Sequence, residues 1–272
     1  MYERYWRFRD KPFENDQNID FFYYSRDHRE ALVRLIYAIR ELKGLVLLTG
    51  DAGCGKTFVL SNARRELLKR GYKVALVSSP ARDSVDLLRQ IALEFGIRKV
   101  EPLKSEIVFA LRDYFGYHLQ QGAASVLMVD DADTIDDERT LEELKLLLNL
   151  EKNGRPLVQL VLAGQPRLRA QLKRIASLNQ RVGQSYHLSP LSEEDANGYI
   201  GHRLRAVNGS RRIFDPRAIR EIYRSSRGVP RLINNLCDLS LLIACSERRG
   251  MIDPQTVGEA REEFKEFGLE TQ

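Results

Sequence analysis

Residues 44–57 read Gly-Leu-Val-Leu-Leu-Thr-Gly-Asp-Ala-Gly-Cys-Gly-Lys-Thr, an apolar run that breaks into a glycine-rich turn with G-x-x-x-x-G-K-T spacing from Gly50 to Thr57. Glycines let the backbone adopt conformations that a side chain forbids, so successive N–H groups can point at a phosphate. In this pattern Lys56 meets the β- and γ-phosphates, and Thr57 offers its hydroxyl to Mg²⁺. The alternative is a glycine turn with an incidental lysine. The apolar run before the turn and the helix-compatible segment 58–69 favour the phosphate site.

The predicted nucleotide is ATP. A GTP-binding protein would carry an Asn/Thr-Lys-x-Asp motif after the phosphate turn, and none occurs in the sequence. The stretch from Tyr24 to Arg29 is a candidate adenine contact. The predicted nucleotide contacts within the turn are Gly50, Asp51, Ala52, Gly53, Cys54, Gly55, Lys56, Thr57 and Phe58.

Composition indicates a globular chain of 272 residues, 43% apolar and 30% charged, with a net charge of +5. No apolar run approaches the roughly 18 residues of a membrane span, and the N-terminus lacks the pattern of a secretory signal. We therefore expect a cytoplasmic protein without an intrinsic membrane span. The three cysteines and four histidines show no disulfide or zinc spacing. Residues 164–231 hold 14 Lys/Arg and 5 Asp/Glu, an excess that suits nucleic acid, an acidic partner or a solvated surface.

Short apolar runs predict five strands, at 44–49, 73–78, 124–129, 158–163 and 185–188. The segments between them have helical periodicity. Alternating strands and helices indicate an α/β fold with a parallel sheet covered on both faces, here a P-loop NTPase. The strand that ends in aspartates is the third along the chain, as in ATPases that insert a strand beside the phosphate loop. We predict three parts: a lead-in with one amphipathic helix (1–43), the nucleotide-binding core (44–190) and an all-helical lid domain (191–272).

Carboxylates follow the third strand, where the sequence reads Val-Asp-Asp-Ala-Asp over residues 129–133. Asp130 is the predicted Mg²⁺ ligand beside Thr57. Asp131 is the predicted base that polarises the attacking water, although ATPases of this class usually carry glutamate there. Aspartate is one methylene shorter, and a displacement of about 1 Å can lower a rate on the order of a hundredfold. Slow turnover is therefore predicted, with Asp133 and Glu138 as fallback bases; Asp133 is alternatively a helix cap.

Three further side chains are candidates for catalysis. Gln165, at the end of the fourth strand, suits a sensor of the γ-phosphate; the alternative is a polar strand end without a role. Arg181, just before the fifth strand, is a candidate arginine finger for the nucleotide of a neighbouring subunit. Arg231 is a candidate for the nucleotide of its own chain. A guanidinium at the transferred phosphoryl group is worth roughly 10³ to 10⁵ in rate, but either arginine is alternatively a surface residue.

The chain resembles the ExeA-like ATPases (general secretion pathway protein A) of the AAA+ superfamily. The resemblance rests on stretches that span nearly the whole sequence: 11–13 (Lys-Pro-Phe), 28–32 (His-Arg-Glu-Ala-Leu), the phosphate turn, 141–144, 149–151, 163–166 (Ala-Gly-Gln-Pro), 178–181 (Leu-Asn-Gln-Arg), 199–204 and 228–234 (Gly-Val-Pro-Arg-Leu-Ile-Asn). It implies an AAA+ module with a helical lid, ATP and Mg²⁺ as ligands, and a ring or filament whose active site is shared between subunits. It also strengthens the assignments of Arg181 and Arg231, which the residues alone leave open.

Two features depart from the family. Asp130-Asp131-Ala132 stands where Asp-Glu-Ala is usual, and secretion members continue into a membrane span and a cell-wall-binding region, whereas this sequence ends at Gln272. We predict an ATPase that oligomerises and organises a partner in secretion or cell-envelope machinery. One alternative is an ATP-dependent DNA-binding regulator of transposition, and another is an ATP-gated scaffold with negligible turnover.

Overall fold

The structure is a computed structural model that describes residues 2–15, 21–98 and 103–266. It divides into two units. One comprises residues 28–188, and the other combines residues 1–27 with 189–272, as far as they are described. Residues 16–20 of the predicted lead-in and 267–272 of the predicted lid lie outside the described residues. None of the described helices is long and apolar enough to cross a membrane.

The unit of residues 28–188 is built on a five-stranded parallel sheet. Its strands are β1 (Leu45–Gly50), β2 (Lys73–Val77), β3 (Ser125–Val129), β6 (Val158–Gly164) and β7 (Val182–Leu188). They lie in the sheet in the order β2-β3-β6-β1-β7. Its helices are α2 (Arg26–Arg40, which begins at the border between the units), α3 (Lys56–Lys69), α4 (Ser84–Glu94), α5 (Lys104–Gln120), α6 (Glu138–Leu148), α7 (Arg167–Arg174) and α8 (Ala176–Asn179).

The apolar runs form strands because helices cover both faces of the sheet. Every residue of β1, β3 and β6 is buried, as expected of central parallel strands. One face packs in a cluster that includes Leu87, Ile91 and Phe115, and the opposite face in a cluster that includes Leu35 and Leu60. The P-loop NTPase fold predicted from the sequence is confirmed, and β6 does lie between the phosphate-loop strand β1 and the aspartate-bearing strand β3.

The second unit is helical, with α1 (Tyr2–Trp6), α9 (Glu193–Ala206), α10 (Pro216–Ser226), α11 (Pro230–Ser246) and α12 (Pro254–Glu266). Side chains cap three of these helices: Ser192 accepts from the amide of Asp195, Asp215 from that of Arg217, and Asp253 from that of Thr256. Such acceptors satisfy amides that have no partner within the helix. The sequence also favours caps at these positions, because Ser192 and Asp195 resemble a capping box and Asp215 and Asp253 each precede a proline.

The helical unit also contains the N-terminal residues that the sequence analysis sets apart as a lead-in. Arg203 of α9 is 1% exposed, and its Nη1 donates to the carbonyl oxygens of Pro12 and Glu14, each at 3.0 Å. Its guanidinium also lies over the Phe21 ring, 4.6 Å from the centroid. These contacts join the first residues of the chain to α9. The boundary between the two units therefore falls after residue 27, inside the predicted 1–43 segment, rather than at residue 43.

Two elements differ from the predicted pattern. Strand β7 begins at Val182 rather than near residue 185, because Val182 already pairs with Leu45 of β1. Alternate residues of β7 are exposed, so its first residues do not form an apolar run. A small antiparallel hairpin of β4 (Glu151–Lys152) and β5 (Arg155–Pro156) precedes β6 and was not predicted. Asn153 and Gly154 both have positive φ at its tip, as a type I′ turn requires.

Candidate nucleotide-binding site

The glycine-rich turn connects β1 to α3: the strand ends at Gly50 and the helix begins at Lys56. Gly55 has φ +95°, which L side chains rarely adopt, so glycine is required there. The Lys56 side chain is buried, and its Nζ donates to the carbonyl oxygens of Gly50 at 2.9 Å and Asp51 at 3.1 Å. A helix N-terminus and a held ammonium thus meet at one turn, the arrangement that attracts phosphate.

His28 supports this turn from α2, a role that the motif alone does not assign. It is buried, and its Nε2 lies 3.0 Å from the carbonyl oxygen of Cys54, so Nε2–H donates to that oxygen. A Cβ at Gly55 would lie only 2.7 Å from the same nitrogen. Cys54 is buried too, and burial raises the pKa of its thiol to about 11. The thiol therefore stays protonated at neutral pH and serves as a small core residue.

Thr57 and Asp130 lie together at the edge of the turn. Thr57 Oγ1 donates to Asp130 Oδ2 at 2.5 Å, and Asp130 is 2% exposed. Burial raises the pKa of the Asp130 carboxyl and the nearby Asp131 carboxylate adds to this, while the Thr57 hydrogen bond acts in the opposite direction. A hydroxyl and a carboxylate are hard oxygen donors of the kind Mg²⁺ prefers, so these two side chains fit the ion and would hold it. When bound, Mg²⁺ would offset the negative charge of the phosphates.

Asp131 follows at the end of β3 in the left-handed conformation, with φ 48° and ψ 35°. Its amide donates to Asp130 Oδ1 at 3.0 Å, and its carbonyl oxygen accepts from the amide and the hydroxyl of Thr134. The turn is therefore fixed on both sides, and the Asp131 side chain is exposed. Aspartate tolerates this conformation better than most residues, which is a physical reason for aspartate at this position.

Gln165 directly follows β6, and its side chain is exposed. Because β1, β3 and β6 are adjacent and parallel, their carboxyl ends share one edge of the sheet. That edge gathers the phosphate turn, Asp130, Asp131 and Gln165, which the sequence analysis named independently.

Asp133 is neither a free base nor a helix cap. It is 1% exposed; its Oδ1 accepts from the amide of Gln165 at 2.9 Å, and its Oδ2 accepts from Arg167 Nε at 2.7 Å. Both oxygens are thus occupied, which argues against the fallback role as a general base. Glu138, the other fallback, is exposed in the first turn of α6. The sequence did not point to Arg167, although it stands two residues after Gln165, the predicted sensor of the γ-phosphate.

Arg181 lies at the opposite edge of the sheet. Its carbonyl oxygen accepts from the amide of Leu45, the first residue of β1, whereas the phosphate turn follows Gly50 at the far end of that strand. The five residue steps between them span about 16 Å at about 3.3 Å per residue, farther than an arginine side chain reaches. The guanidinium is exposed and donates from Nη2 to Asn149 Oδ1 at 2.8 Å.

Arg231 belongs to the helical unit, exposed at the second position of α11. The loop before it depends on Gly228, which has φ +77° and whose Cβ would lie 2.1 Å from the carbonyl oxygen of Leu191. Leu191 in turn donates its amide to the Gly228 carbonyl at 2.8 Å. The Gly-Val-Pro-Arg sequence thus fixes the start of the helix that carries Arg231.

A strand–turn–helix phosphate site, carboxylates after the third strand and a following helical unit define a P-loop NTPase of the AAA+ class. A family model described as an AAA domain matches residues 39–172. General secretion pathway protein A of Aeromonas hydrophila is 37% identical over 247 residues, covering 90% of this chain and 45% of that protein. The chain therefore belongs with the ExeA-like AAA+ ATPases, as the resemblance in the sequence implies.

Other similarities are more distant. The signal recognition particle 54 kDa protein of Thermococcus onnurineus is 30% identical over 110 residues, 39% of this chain and 25% of that protein. The chain thus spans less than half the length of both curated relatives. Among solved structures, Cdc6p of Pyrobaculum aerophilum matches with a TM-score of 0.72 at 17% identity, over 91% of this chain and 71% of that one. Aeropyrum pernix ORC2 matches with a TM-score of 0.68 at 15% identity, over 93% and 75%. These structures show the fold.

Proposed function

We propose that this chain binds ATP with Mg²⁺, hydrolyses it slowly, and assembles with copies of itself to organise a partner in secretion or cell-envelope machinery. The observation that carries the proposal is the phosphate turn with the buried Lys56 ammonium and the adjacent Thr57–Asp130 pair. The similarity to a general secretion pathway protein supports the partner class. The cytoplasmic location and the adenine contact at 24–29 stay predictions from the sequence.

Assembly is supported by the position of Arg181. Its backbone is bonded to the start of β1, so its guanidinium is too far from the phosphate turn of its own chain. The same guanidinium is exposed and therefore accessible to another subunit. A ring or filament with head-to-tail contacts would bring this edge of one copy to the phosphate edge of the next. Arg231 is proposed to act on the nucleotide of its own chain.

Nucleotide binding is tested first with Lys56→Ala. Removing the ammonium should weaken ATP binding by roughly a hundredfold, because a charged hydrogen-bond donor to the phosphates is lost. Lys69→Ala is the matched control, since Lys69 lies in the same helix with a side chain 63% exposed. Calorimetry with Mg-ATP would measure both, and circular dichroism would verify the fold. Equal ATP affinity in Lys56→Ala and wild type would refute the assignment of the phosphate site.

The slow-turnover prediction separates the enzyme from the scaffold with negligible turnover. The exposed Asp131, in place of the usual glutamate, favours a low rate. Phosphate release at saturating Mg-ATP, measured on the same sample as binding, distinguishes the two. Release that is absent in wild type but appears in Asp131→Glu would identify the scaffold.

DNA binding is the second candidate function, favoured by one stretch of the chain. Residues 152–192 contain seven Lys/Arg and no Asp/Glu. Within it, α7 reads Arg-Leu-Arg-Ala-Gln-Leu-Lys-Arg, and Arg169, Lys173 and Arg174 are exposed while Leu168 and Leu172 are buried. A structural neighbour, Aeropyrum pernix ORC1, is described in complex with DNA, but at 17% identity. Anisotropy of a random labelled duplex should rise with ATP and fall steeply with salt; no rise at low salt would eliminate this candidate.

A further inference from the structure

The contact between Asp133 and the end of β6 links two parts of the nucleotide edge. Asp133 follows β3, the strand that carries Asp130 and Asp131, whereas Gln165 and Arg167 follow β6. The Asp133 carboxylate is buried, and it bonds the Gln165 amide with one oxygen and the Arg167 side chain with the other. One side chain therefore ties the ends of two adjacent strands together.

The space around this carboxylate is closely filled. A Cβ at Gly164 would lie 2.5 Å from Asp133 Oδ1, closer than real Cβ contacts, and 3.1 Å from the Asp133 amide nitrogen, which is also tight. Glycine at 164 is what permits the carboxylate to approach the Gln165 amide. Gln171 adds a second tie, since its Nε2 donates to the carbonyl oxygens of Asp133 and Ile135 at 3.2 and 3.3 Å.

The two partners of Asp133 differ in exposure, which separates their roles. The Arg167 side chain is 57% exposed, so its charge is mostly solvated and the ion pair adds little stability by itself. The Gln165 amide is held by an acceptor that is excluded from water. This bond is partly buried, and an amide there that loses its acceptor is costly, so the backbone of Gln165 depends on this bond more than on the ion pair.

We propose that Asp133 is a positioning residue that fixes the backbone of Gln165 and thereby aims the Gln165 side chain at the γ-phosphate of bound ATP. The inference rests on the proposed function, in which Gln165 senses that phosphate. Asp133 itself contacts no reacting atom. Its effect should appear in how the chain distinguishes a triphosphate from a diphosphate, because only the former carries the group that Gln165 contacts.

The test compares the dissociation constants of ATPγS and ADP for the full chain, by competition against a fluorescent ADP. Asp133→Ala should lower the preference for ATPγS over ADP by about tenfold, as should Gln165→Ala, with ADP affinity unchanged. Asp133→Asn retains an oxygen that can accept from the Gln165 amide, so it should stay within about threefold of wild type. Arg167→Gln removes the ion pair alone and should also retain the preference.

Hydrogen exchange at the Gln165 amide supplies a readout independent of nucleotide. Asp133→Ala should accelerate exchange there by about tenfold or more, while Arg167→Gln should not. Should Asp133→Ala fail to fold, Gly164→Ala displaces the same carboxylate and should have both effects.

The outcomes separate this inference from the proposed function. A wild-type chain that binds neither nucleotide would refute the proposed function, and exchange at the Gln165 amide would still test the positioning bond. An unchanged preference in Asp133→Ala, with a loss in Gln165→Ala, would overturn the role of Asp133. An unchanged preference in Gln165→Ala would overturn the γ-phosphate contact, and an equal loss in Arg167→Gln would assign the effect to charge instead.

Discussion

Replacing Arg181 with alanine tests whether a second copy of the chain completes the site. The Arg181 backbone is hydrogen-bonded to the first residue of β1, about 16 Å along the strand from the phosphate turn. A guanidinium that stabilises the transferred phosphoryl group is worth about 10³-fold in rate or more. Arg181→Ala should therefore bind Mg-ATP as wild type does but release phosphate at least about a thousandfold more slowly. Arg174→Ala, another exposed arginine close by in sequence, should have little effect.

The direction of action is tested by mixing two inactive variants. Arg181→Ala keeps its own nucleotide site, and Asp131→Asn keeps its arginine while losing the proposed base. If the arginine acts on a neighbouring subunit, a 1:1 mixture forms head-to-tail interfaces of which about one quarter join an intact site to an intact arginine. Phosphate release should then recover to about a quarter of the wild-type rate, in a manner that depends on chain concentration.

Two results would refute this reasoning. A mixture no more active than its components, although both variants assemble, would exclude action on a neighbour. A wild-type rate per chain that stays constant on dilution below the assembly range would also exclude it, because an isolated chain would then suffice.

Three further predictions concern the carboxylates and the buried arginine. Asp131→Glu should raise the rate of phosphate release by up to about a hundredfold. It should also lower the free energy of unfolding by about 1 kcal/mol, because glutamate suits the left-handed conformation of residue 131 less well than aspartate does. A rate no higher than that of the wild type would argue against Asp131 as the base. Burial raises the pKa of Asp130 in the folded chain. The wild type should therefore lose stability as the pH rises from about 4, the pKa of an aspartate in the unfolded chain, through the raised pKa of the folded state. Asp130→Asn has no carboxyl to titrate at this position and should lack this loss. Urea unfolding at several pH values would measure this. The same change in free energy of unfolding with pH in wild type and Asp130→Asn would contradict the assignment. Arg203→Ala should lower the free energy of unfolding by about 3 kcal/mol, because the buried carbonyl of Pro12 and the partly buried carbonyl of Glu14 lose their donor. Denaturant unfolding should show a cost well above 1 kcal/mol if this network holds the N-terminal residues.

Local patterns predicted the helices and strands well, including the strand, glycine-rich turn and helix at residues 45–69. The apolar runs became the five strands, and Ser192, Asp215 and Asp253 cap helices as their spacing indicates. The hairpin before β6 was also predictable, since Asn153-Gly154 is a strong turn signal; it was missed because its strands are only two residues long.

Contacts between residues distant in sequence account for what the sequence did not predict. Asp133 looked like a spare carboxylate because nothing in its neighbourhood shows that residues 165 and 167 occupy its oxygens. Likewise, the N-terminal lead-in carries no signal that Arg203, about 190 residues later, binds its carbonyl oxygens. Periodicity and motif spacing report which residues share an element, whereas these pairings depend on strand order and helix packing.

The placement of the site residues on the sheet has a consequence for control of the proposed reaction. The phosphate turn, the carboxylates and Gln165 all follow strands at one edge, and Arg181 precedes a strand at the other edge. Because every strand of the sheet is parallel, no rearrangement of loops within one chain brings the two edges together. Under the proposed function a single copy would then bind ATP without the Arg181 guanidinium, and the short Asp131 would lower its basal rate further. We therefore expect hydrolysis to report assembly, with ATP persisting on isolated chains and being consumed where one copy meets the next.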